Sequence, residues 1–119
     1  MVPKLIRIAR NIREMDEVFT WTFDTSELRG GFSYEPGQFN MLYVFGTGES
    51  AISISGDMAQ SDRLIHTIRA VGVVTKALQK LKRGDCVGVR GPFGSAWPVL
   101  EAEGRDVVIV TGGIGLAPL

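Results

Sequence analysis

Short apolar segments separated by glycine-containing turns fill most of this chain. Residues Val18–Asp24 alternate strictly, with three aromatic side chains on one face and two threonines on the other, which predicts a half-buried strand. Comparable runs predict four further strands, over 38–45, 51–55, 64–71 and 86–90. Residues 5–13 fit either a helix or a strand, and we predict a strand at a sheet edge, where its basic residues discourage pairing with another chain.

One segment changes from the strand period to the helical period. Apolar residues recur at helical spacing between positions 74 and 81, which predicts a helix over 75–83. Three basic residues would fill its last turn, where they complement the helix dipole, and Gly84 would end it.

The end of the chain has a different character. An apolar run over 107–110 predicts a strand buried on both faces, and it leads into a glycine-rich turn. Such a turn holds a nucleotide at the carboxyl end of a parallel strand, although the full Gly-x-Gly-x-x-Gly pattern is absent because position 118 is proline. We therefore divide the chain into an antiparallel β domain over 1–103 and, over 104–119, the first strand and turn of a nucleotide-binding α/β domain.

Length and composition favour one cytoplasmic domain. The chain has 119 residues, and its 45% hydrophobic content suffices for a single core. Thirteen basic and thirteen acidic residues cancel, which argues against a nucleic-acid binder. No apolar run approaches the roughly 18 residues of a membrane span. The lone cysteine, Cys86, excludes an internal disulfide and is expected to be buried, and His66 lacks metal ligands at suitable spacing and is expected to be structural.

Two segments carry candidate chemistry. Residues 72–75 begin the predicted helix, where unpaired backbone N–H groups and a threonine hydroxyl could bind phosphate; an ordinary cap explains the same residues. Residues 50–55 place serines among apolar residues and predict a row of hydroxyls along one face of a strand. That face suits a heteroaromatic ligand, or it belongs to an ordinary half-solvated strand.

Taken in order, these motifs resemble the ferredoxin–NADP reductase superfamily along the whole chain. Ser50-Ala51-Ile52-Ser53 resembles its Arg-x-Tyr-Ser flavin motif, in the Arg-Pro-Ile-Ser-like form of the electron-transfer subunit of dihydroorotate dehydrogenase. Residues 72–75 match its Gly-x-x-Ser/Thr phosphate motif, residues 91–94 its Gly-Pro-x-Gly turn, and residues 111–118 the opening of its pyridine-nucleotide domain. Residues 66–75 and 91–98 most resemble the gamma (flavin) subunits of NiFe hydrogenases and sulfhydrogenases, and a subunit of anaerobic sulfite reductase is also similar.

The resemblance implies a mainly β fold: a six-stranded antiparallel Greek-key barrel that binds FAD, with one helix, followed by the start of an NAD(P)-binding domain. It also implies an oxidoreductase module in which a hydride passes between NAD(P)H and FAD and single electrons pass to an iron–sulfur, hydrogenase or reductase subunit. In such a module the protein positions and tunes the flavin, and no catalytic side chain or metal ligand is expected.

Within that site, the resemblance places Ser53 near flavin N5 and Ile52 against the ring, with residues 68–70 along the ribityl and phosphate path. The helix end would donate to the pyrophosphate. The cofactor-binding residues so implied are Ser50, Ala51, Ile52, Ser53, Ile68, Arg69, Ala70, Gly72, Val74 and Thr75, and the NAD(P) turn would comprise Thr111, Gly112, Gly113 and Gly115.

The chain departs from the family pattern at two positions. Ser50 stands where the family has an arginine that pairs with the FAD pyrophosphate, and Ile52 where it has a tyrosine. We predict that Arg69 replaces that arginine. Because the second domain is incomplete, we expect the chain to be a fragment that does not complete an NAD(P)H-dependent cycle alone. A cofactor-free barrel serving as a scaffold subunit stays open, and an RNA-binding barrel is disfavoured by the zero net charge.

Overall fold

The computed structural model describes residues 1–26, 28–60 and 62–119. The described residues contain six strands: β1 Lys4–Met15, β2 Val18–Asp24, β3 Phe39–Val44, β4 Gly48–Ser53, β5 Arg63–Arg69 and β6 Cys86–Phe93. Helix α1 Val73–Gln79 lies between β5 and β6, a short helix α2 Val99–Ala102 follows β6, and a 3₁₀ helix spans Gly113–Leu116. The predicted mainly β fold is confirmed, as are the five strands and the helix, with ends shifted by a few residues.

All six strands belong to one antiparallel sheet in the order β4-β3-β6-β1-β2-β5. β6 inserts between β1 and β3, and β5 pairs with β2, so strands distant in sequence lie side by side as in a Greek key. The two end strands of the sheet meet through a bridge between Ile54 and His66, which curls the sheet into a barrel.

The inward faces of the strands form one apolar core. The alternation seen in β2 buries Phe19, Trp21 and Phe23, whereas the intervening threonines stay half-exposed. Leu78 of α1 is completely buried against the same core, so the helix covers part of the barrel. Burial of these large side chains is the main source of stability for the fold.

The prediction that β1 lies at a sheet edge is wrong. Its first half, from Lys4 to Arg7, pairs with β6, and its second half, from Ile8 to Met15, pairs with β2. Pairing on both sides places β1 in the interior of the sheet order; Ile6 and Ile8 are buried, and the basic side chains of the strand are exposed.

The helix ends earlier than its periodicity predicts. α1 stops at Gln79, and Lys80 is its C-cap residue. The next residues form a turn because the Asp85 carboxylate accepts a hydrogen bond from the Lys82 backbone N–H at 2.7 Å, while the Asp85 N–H donates to the Lys82 carbonyl. Gly84, with φ of +92°, lies in this turn rather than at the helix end.

Two further predictions fail near the end of the chain and in β6. Residues 107–110 form no strand and all four are more than half exposed, because no described strand lies beside them to pair with and cover them. Cys86 is exposed, since it points to the outward side of β6, whereas Val87 and Val89 point inward and are buried.

No helix among the described residues has the length and apolar character needed to cross a membrane.

Candidate functional site

The barrel is incompletely closed along one line. β4 and β5 are the end strands of the sheet, and each has only one strand partner beyond their bridge at Ile54 and His66. At the other end of β4, a Cβ on Gly48 would lie 3.7 Å from the Val74 side chain in α1. We call the region formed by β4, β5 and the start of α1 the seam. The start of β4 and the start of α1 therefore lie next to each other.

The predicted row of hydroxyls on one face of β4 is wrong. Ser50 and Ile52 lie on the half-buried face, with Ile52 packed against the core, whereas Ala51 and Ser53 are exposed on the opposite face. Strand side chains alternate, so serines three residues apart cannot share a face. Only Ser53 presents an exposed hydroxyl at the end of this strand.

Outside β4, a second group of hydroxyls lies along β5. The Thr67 hydroxyl is 2.9 Å from that of Thr20 on β2 and 3.3 Å from that of Ser55. The Ser55 hydroxyl therefore makes its hydrogen bonds within the protein and does not extend a row of free hydroxyls from β4. Sequence reasoning missed this group because the pairing of β2 with β5 decides which hydroxyls meet.

Residues 68–70 divide between the core and the outside. The side chains of Ile68 and Ala70 are almost fully buried in the core, so only their backbone can contact a ligand in the seam. Arg69 between them is exposed, and no ion pair among the described residues includes it. Arg69 is thus a cation available to an anionic ligand.

The helix start is capped by its own threonine. The Thr75 hydroxyl accepts hydrogen bonds from the backbone N–H groups of Val71, at 3.1 Å, and Gly72, at 2.8 Å, and donates to the Gly72 carbonyl at 3.2 Å. This hydroxyl has no proton left for a phosphate, which contradicts the donor role predicted from the sequence. The first-turn amides around Val74 precede the intrahelical bonds that begin with Lys76 and are the donors that the helix can offer.

A buried polar chain runs behind the exposed end of β4. His66 and Asn40 are both completely buried, with the Asn40 Nδ2 atom 3.2 Å from His66 Nε2. The other ring nitrogen of His66, Nδ1, lies 3.0 Å from the Ser53 carbonyl oxygen. Burial lowers the pKa of His66 to about 4, partly offset by the Ser53 carbonyl. No group of metal ligands occurs among the described residues, and both ring nitrogens of His66 are within hydrogen-bond distance of protein atoms.

The predicted nucleotide turn lies beside the end of β5 and away from residues 50–53. Gly113 begins the 3₁₀ helix, in which the Gly115 N–H donates to the Gly112 carbonyl at 3.2 Å. This helix borders a cavity of about 520 Å³ together with Arg69, Thr67 and the start of β2. The structure therefore brings Arg69 and the turn together, whereas residues 50–53 do not line this cavity.

No family model matches the chain, but curated proteins and solved structures do. The chain is 38% identical over 109 residues to sulfhydrogenase 1 subunit gamma of Pyrococcus furiosus, covering 92% of the chain and 37% of that protein. It is 37% identical over all 119 residues to a probable electron-transfer subunit of dihydroorotate dehydrogenase B from Methanocella arvoryzae, covering 42% of that protein. The chain spans about two-fifths of the length of these curated relatives.

Solved structures share the fold. The cytochrome P450 reductase GcoB of Amycolatopsis superposes with a TM-score of 0.81 at 26% identity, over 98% of this chain and 36% of that chain. Phthalate dioxygenase reductase, described as transferring electrons from pyridine nucleotides to a [2Fe-2S] centre, superposes with a TM-score of 0.73 at 15% identity, over 98% and 37%. The chain is thus similar to sulfhydrogenase gamma subunits and dihydroorotate dehydrogenase electron-transfer subunits, and its fold is that of ferredoxin–NADP reductase-type domains.

The structure also shows an interaction of Arg90 that the sequence did not predict. Arg90 on β6 donates two hydrogen bonds to Glu49 on β4, at 3.0 and 2.6 Å, and its guanidinium lies 5.3 Å from the Phe93 ring centroid. These bonds lower the pKa of the Glu49 carboxyl. Arg90 is thus paired with Glu49, next to Ser50, and Arg69 is a cation of the seam that has no ion pair among the described residues. No signal in a single sequence reveals the register that joins Arg90 to Glu49.

Proposed function

We propose that this chain is the FAD-binding barrel of an NAD(P)H-dependent oxidoreductase and that FAD lies along the seam. The observation that carries this proposal is the free edge of β4, which runs from its contact with β5 at Ile54 to its contact with α1 at Gly48. A free strand edge offers backbone donors and acceptors in a row, and a flavin ring carries matching groups along one side. When bound, FAD supplies the conversion of a two-electron hydride into single electrons.

The residues present in the seam fit a dinucleotide. At one end, Ser53 offers an exposed hydroxyl and Ile52 a partly buried apolar surface beside a free backbone edge. At the other end, the first-turn amides of α1 and the unpaired guanidinium of Arg69 provide positive charge and donors for phosphate. Apolar and polar groups thus follow the same order along the seam as the ring and phosphates of FAD.

Each part of the seam has its own role in this proposal. The Ser53 hydroxyl or amide bonds the flavin near N5, and Ile52 contacts the ring. The backbone of residues 68–70 follows the ribityl chain, because the Ile68 and Ala70 side chains belong to the core. Arg69 neutralises the pyrophosphate in place of the family's arginine, and the amides around Val74 bond the same phosphates.

The activity of the whole protein extends beyond this chain. Sulfhydrogenase gamma and dihydroorotate dehydrogenase electron-transfer subunits are named as parts of larger enzymes, and the chain spans about two-fifths of each. We therefore propose that residues 104–119 begin an NAD(P)-binding domain, with NAD(P)H as hydride donor, and that the electron acceptor is an iron–sulfur protein or subunit. The exposed apolar residues at 107–110 are consistent with a strand that pairs within such a domain.

An absorbance titration tests the proposal directly. The purified chain should show the yellow bands of oxidised flavin, or acquire them when FAD is added, with quenching of flavin fluorescence on binding. Added FMN provides a control for the adenylate half, since the phosphate contacts at Arg69 and α1 should favour FAD. A chain that binds neither flavin would instead support the cofactor-free scaffold subunit.

A further inference from the structure

The core contains a chain of polar groups that ends at the proposed flavin site. Asn40 of β3 and His66 of β5 are completely buried and hydrogen bond to each other at 3.2 Å, and His66 Nδ1 also hydrogen bonds to the Ser53 carbonyl at 3.0 Å. Burying such groups costs free energy unless their hydrogen bonds are made. Apolar residues could fill the same space at lower cost, so we ask what this buried polar pair does for Ser53, which lies next to it.

The direction of these hydrogen bonds is fixed by chemistry. A carbonyl oxygen only accepts, so His66 Nδ1 carries the proton and donates it to Ser53. Nε2 is then the unprotonated nitrogen and accepts from the Asn40 amide N–H. Asn40 thus selects the imidazole tautomer that can hold the Ser53 carbonyl.

The peptide group between Ser53 and Ile54 is held at both ends. Its carbonyl oxygen accepts from His66, and its N–H donates to the Gln38 carbonyl at 3.0 Å. This peptide lies where β4 and β5 are bridged, immediately next to the exposed Ser53 side chain. The two bonds fix the rotation of the peptide plane and hence the direction in which Ser53 points.

Gly91 keeps Asn40 in place. A Cβ at Gly91 would overlap the Asn40 Oδ1 atom, and the φ of +153° at this position favours glycine. The first glycine of the Gly-Pro-Phe-Gly turn on β6 therefore makes room for the amide that orients His66. Three strands, β3, β5 and β6, contribute to the placement of one peptide group of the seam.

We propose that His66 is a positioning residue for the flavin: through its bond to the Ser53 carbonyl it aims the hydroxyl and amide of Ser53 at the bound ring. This inference rests on the proposed function. His66 does not touch the flavin and takes no part in hydride or electron transfer. Its loss should change the environment of the ring rather than the capacity of the chain to fold.

Variants of the full chain with FAD separate positioning from packing. His66→Leu removes the donor to Ser53 and should weaken FAD binding about tenfold, shift the visible flavin bands and change the flavin midpoint potential. His66→Gln retains an N–H donor and should restore the bands and potential towards those of the unmodified chain. Leu64→Ala is the matched control, because Leu64 is equally buried on the same face of β5; it should lower the unfolding temperature and leave the bands and potential unchanged.

A second measurement needs no variant. Imidazole ¹⁵N resonances of the unmodified chain should show His66 protonated at Nδ1, and FAD binding should shift the Nδ1 signal through the Ser53 carbonyl. An Nδ1 signal that FAD leaves unmoved would overturn the inference, as would His66→Leu with unaltered flavin bands, or Leu64→Ala with bands altered equally. Failure of the unmodified chain to bind FAD is a different result, since it would overturn the proposed function itself.

Discussion

The seam and the opposite wall of the barrel, formed by β1, β2 and β6, are built on different principles. In the wall, strands pair with neighbours on both sides, and simple apolar alternation buries residues such as Trp21 and Val87. In the seam, strands lack one neighbour, and buried polar side chains such as His66 and Thr75 determine where the backbone points. The comparison indicates that the wall supplies most of the stability. In the seam, the strand edges are left unpaired and form a surface that can bind a ligand.

The largest expected effect tests the wall. Phe23→Ala removes a fully buried ring from β2 and should cost about 3–5 kcal/mol in the free energy of unfolding, through lost burial and a residual cavity. Urea denaturation followed by circular dichroism measures this. Thr22→Ala, its half-exposed neighbour on the opposite face, is the control and should change the free energy by less than about 0.5 kcal/mol. Equal losses from both variants would contradict the assignment of stability to the inward face.

The next largest effect is the pH dependence of the free energy of unfolding that arises from His66 in the seam. The folded-state pKa of His66, about 4, lies below its ordinary value of 6.5, so the unfolded chain binds a proton over this interval and the folded chain does not. The neutral histidine therefore contributes fully above pH 6.5, and about 3 kcal/mol should be lost as pH falls towards 4.

Comparison with His66→Gln isolates this contribution. The variant has no titrating imidazole, so the difference in unfolding free energy between the two proteins should vary between pH 6.5 and 4 and level off above that interval. Carboxyl groups titrate in both proteins and cancel in the difference. A difference that does not vary with pH would show that His66 is accessible to protons in the folded state.

The same division explains how far the sequence alone was informative. Alternation in Val18–Asp24 was sufficient to predict β2 and its buried aromatic face, because a wall strand depends on local pattern. The place of β1 inside the sheet could not be predicted, since it depends on pairing with β6, which is distant in sequence. The apolar run at 107–110 forms no strand in this chain, because strand formation needs a neighbour as well as a pattern.

For the seam, the motifs did not reveal the direction in which the side chains point. The opposite faces of Ser50 and Ser53 follow from strand alternation and were missed. The use of the Thr75 hydroxyl in its own cap depends on the exact backbone of the helix start. The bond from His66 to Ser53 depends on strand register, which a single sequence does not encode visibly.

A smaller effect tests the ligand-binding face of the seam. Arg69→Ala removes an exposed cation and should weaken FAD binding about tenfold and reduce the dependence of affinity on salt, because a charge-assisted bond to phosphate is lost. Fluorescence titration at two salt concentrations measures both quantities. Arg63→Ala, at the far end of β5 on the same face, is the control and should leave affinity and salt dependence unchanged. Unaltered binding by Arg69→Ala would assign the phosphates to other donors.

The smallest effect concerns the ion pair that joins the two regions. Arg90 belongs to β6 in the wall and Glu49 to β4 in the seam, and the pair spans β3 between them. Glu49→Gln should lower the unfolding temperature slightly at neutral pH, since exposed pairs contribute little. The pKa of Glu49 is lowered in the folded state, so its contribution is present above the unfolded-state pKa and is lost on acidification.

The control is Glu101→Gln, an exposed carboxylate outside the ion pairs of the described residues, which should have no effect at any pH. Thermal unfolding from neutral to acidic pH should bring Glu49→Gln and the unmodified chain together at low pH, and added salt should do the same at neutral pH. A difference that persists in acid would mean that Glu49 acts through packing beside Gly48 and not through its charge. In that case the wall and the seam would be joined by strand pairing alone.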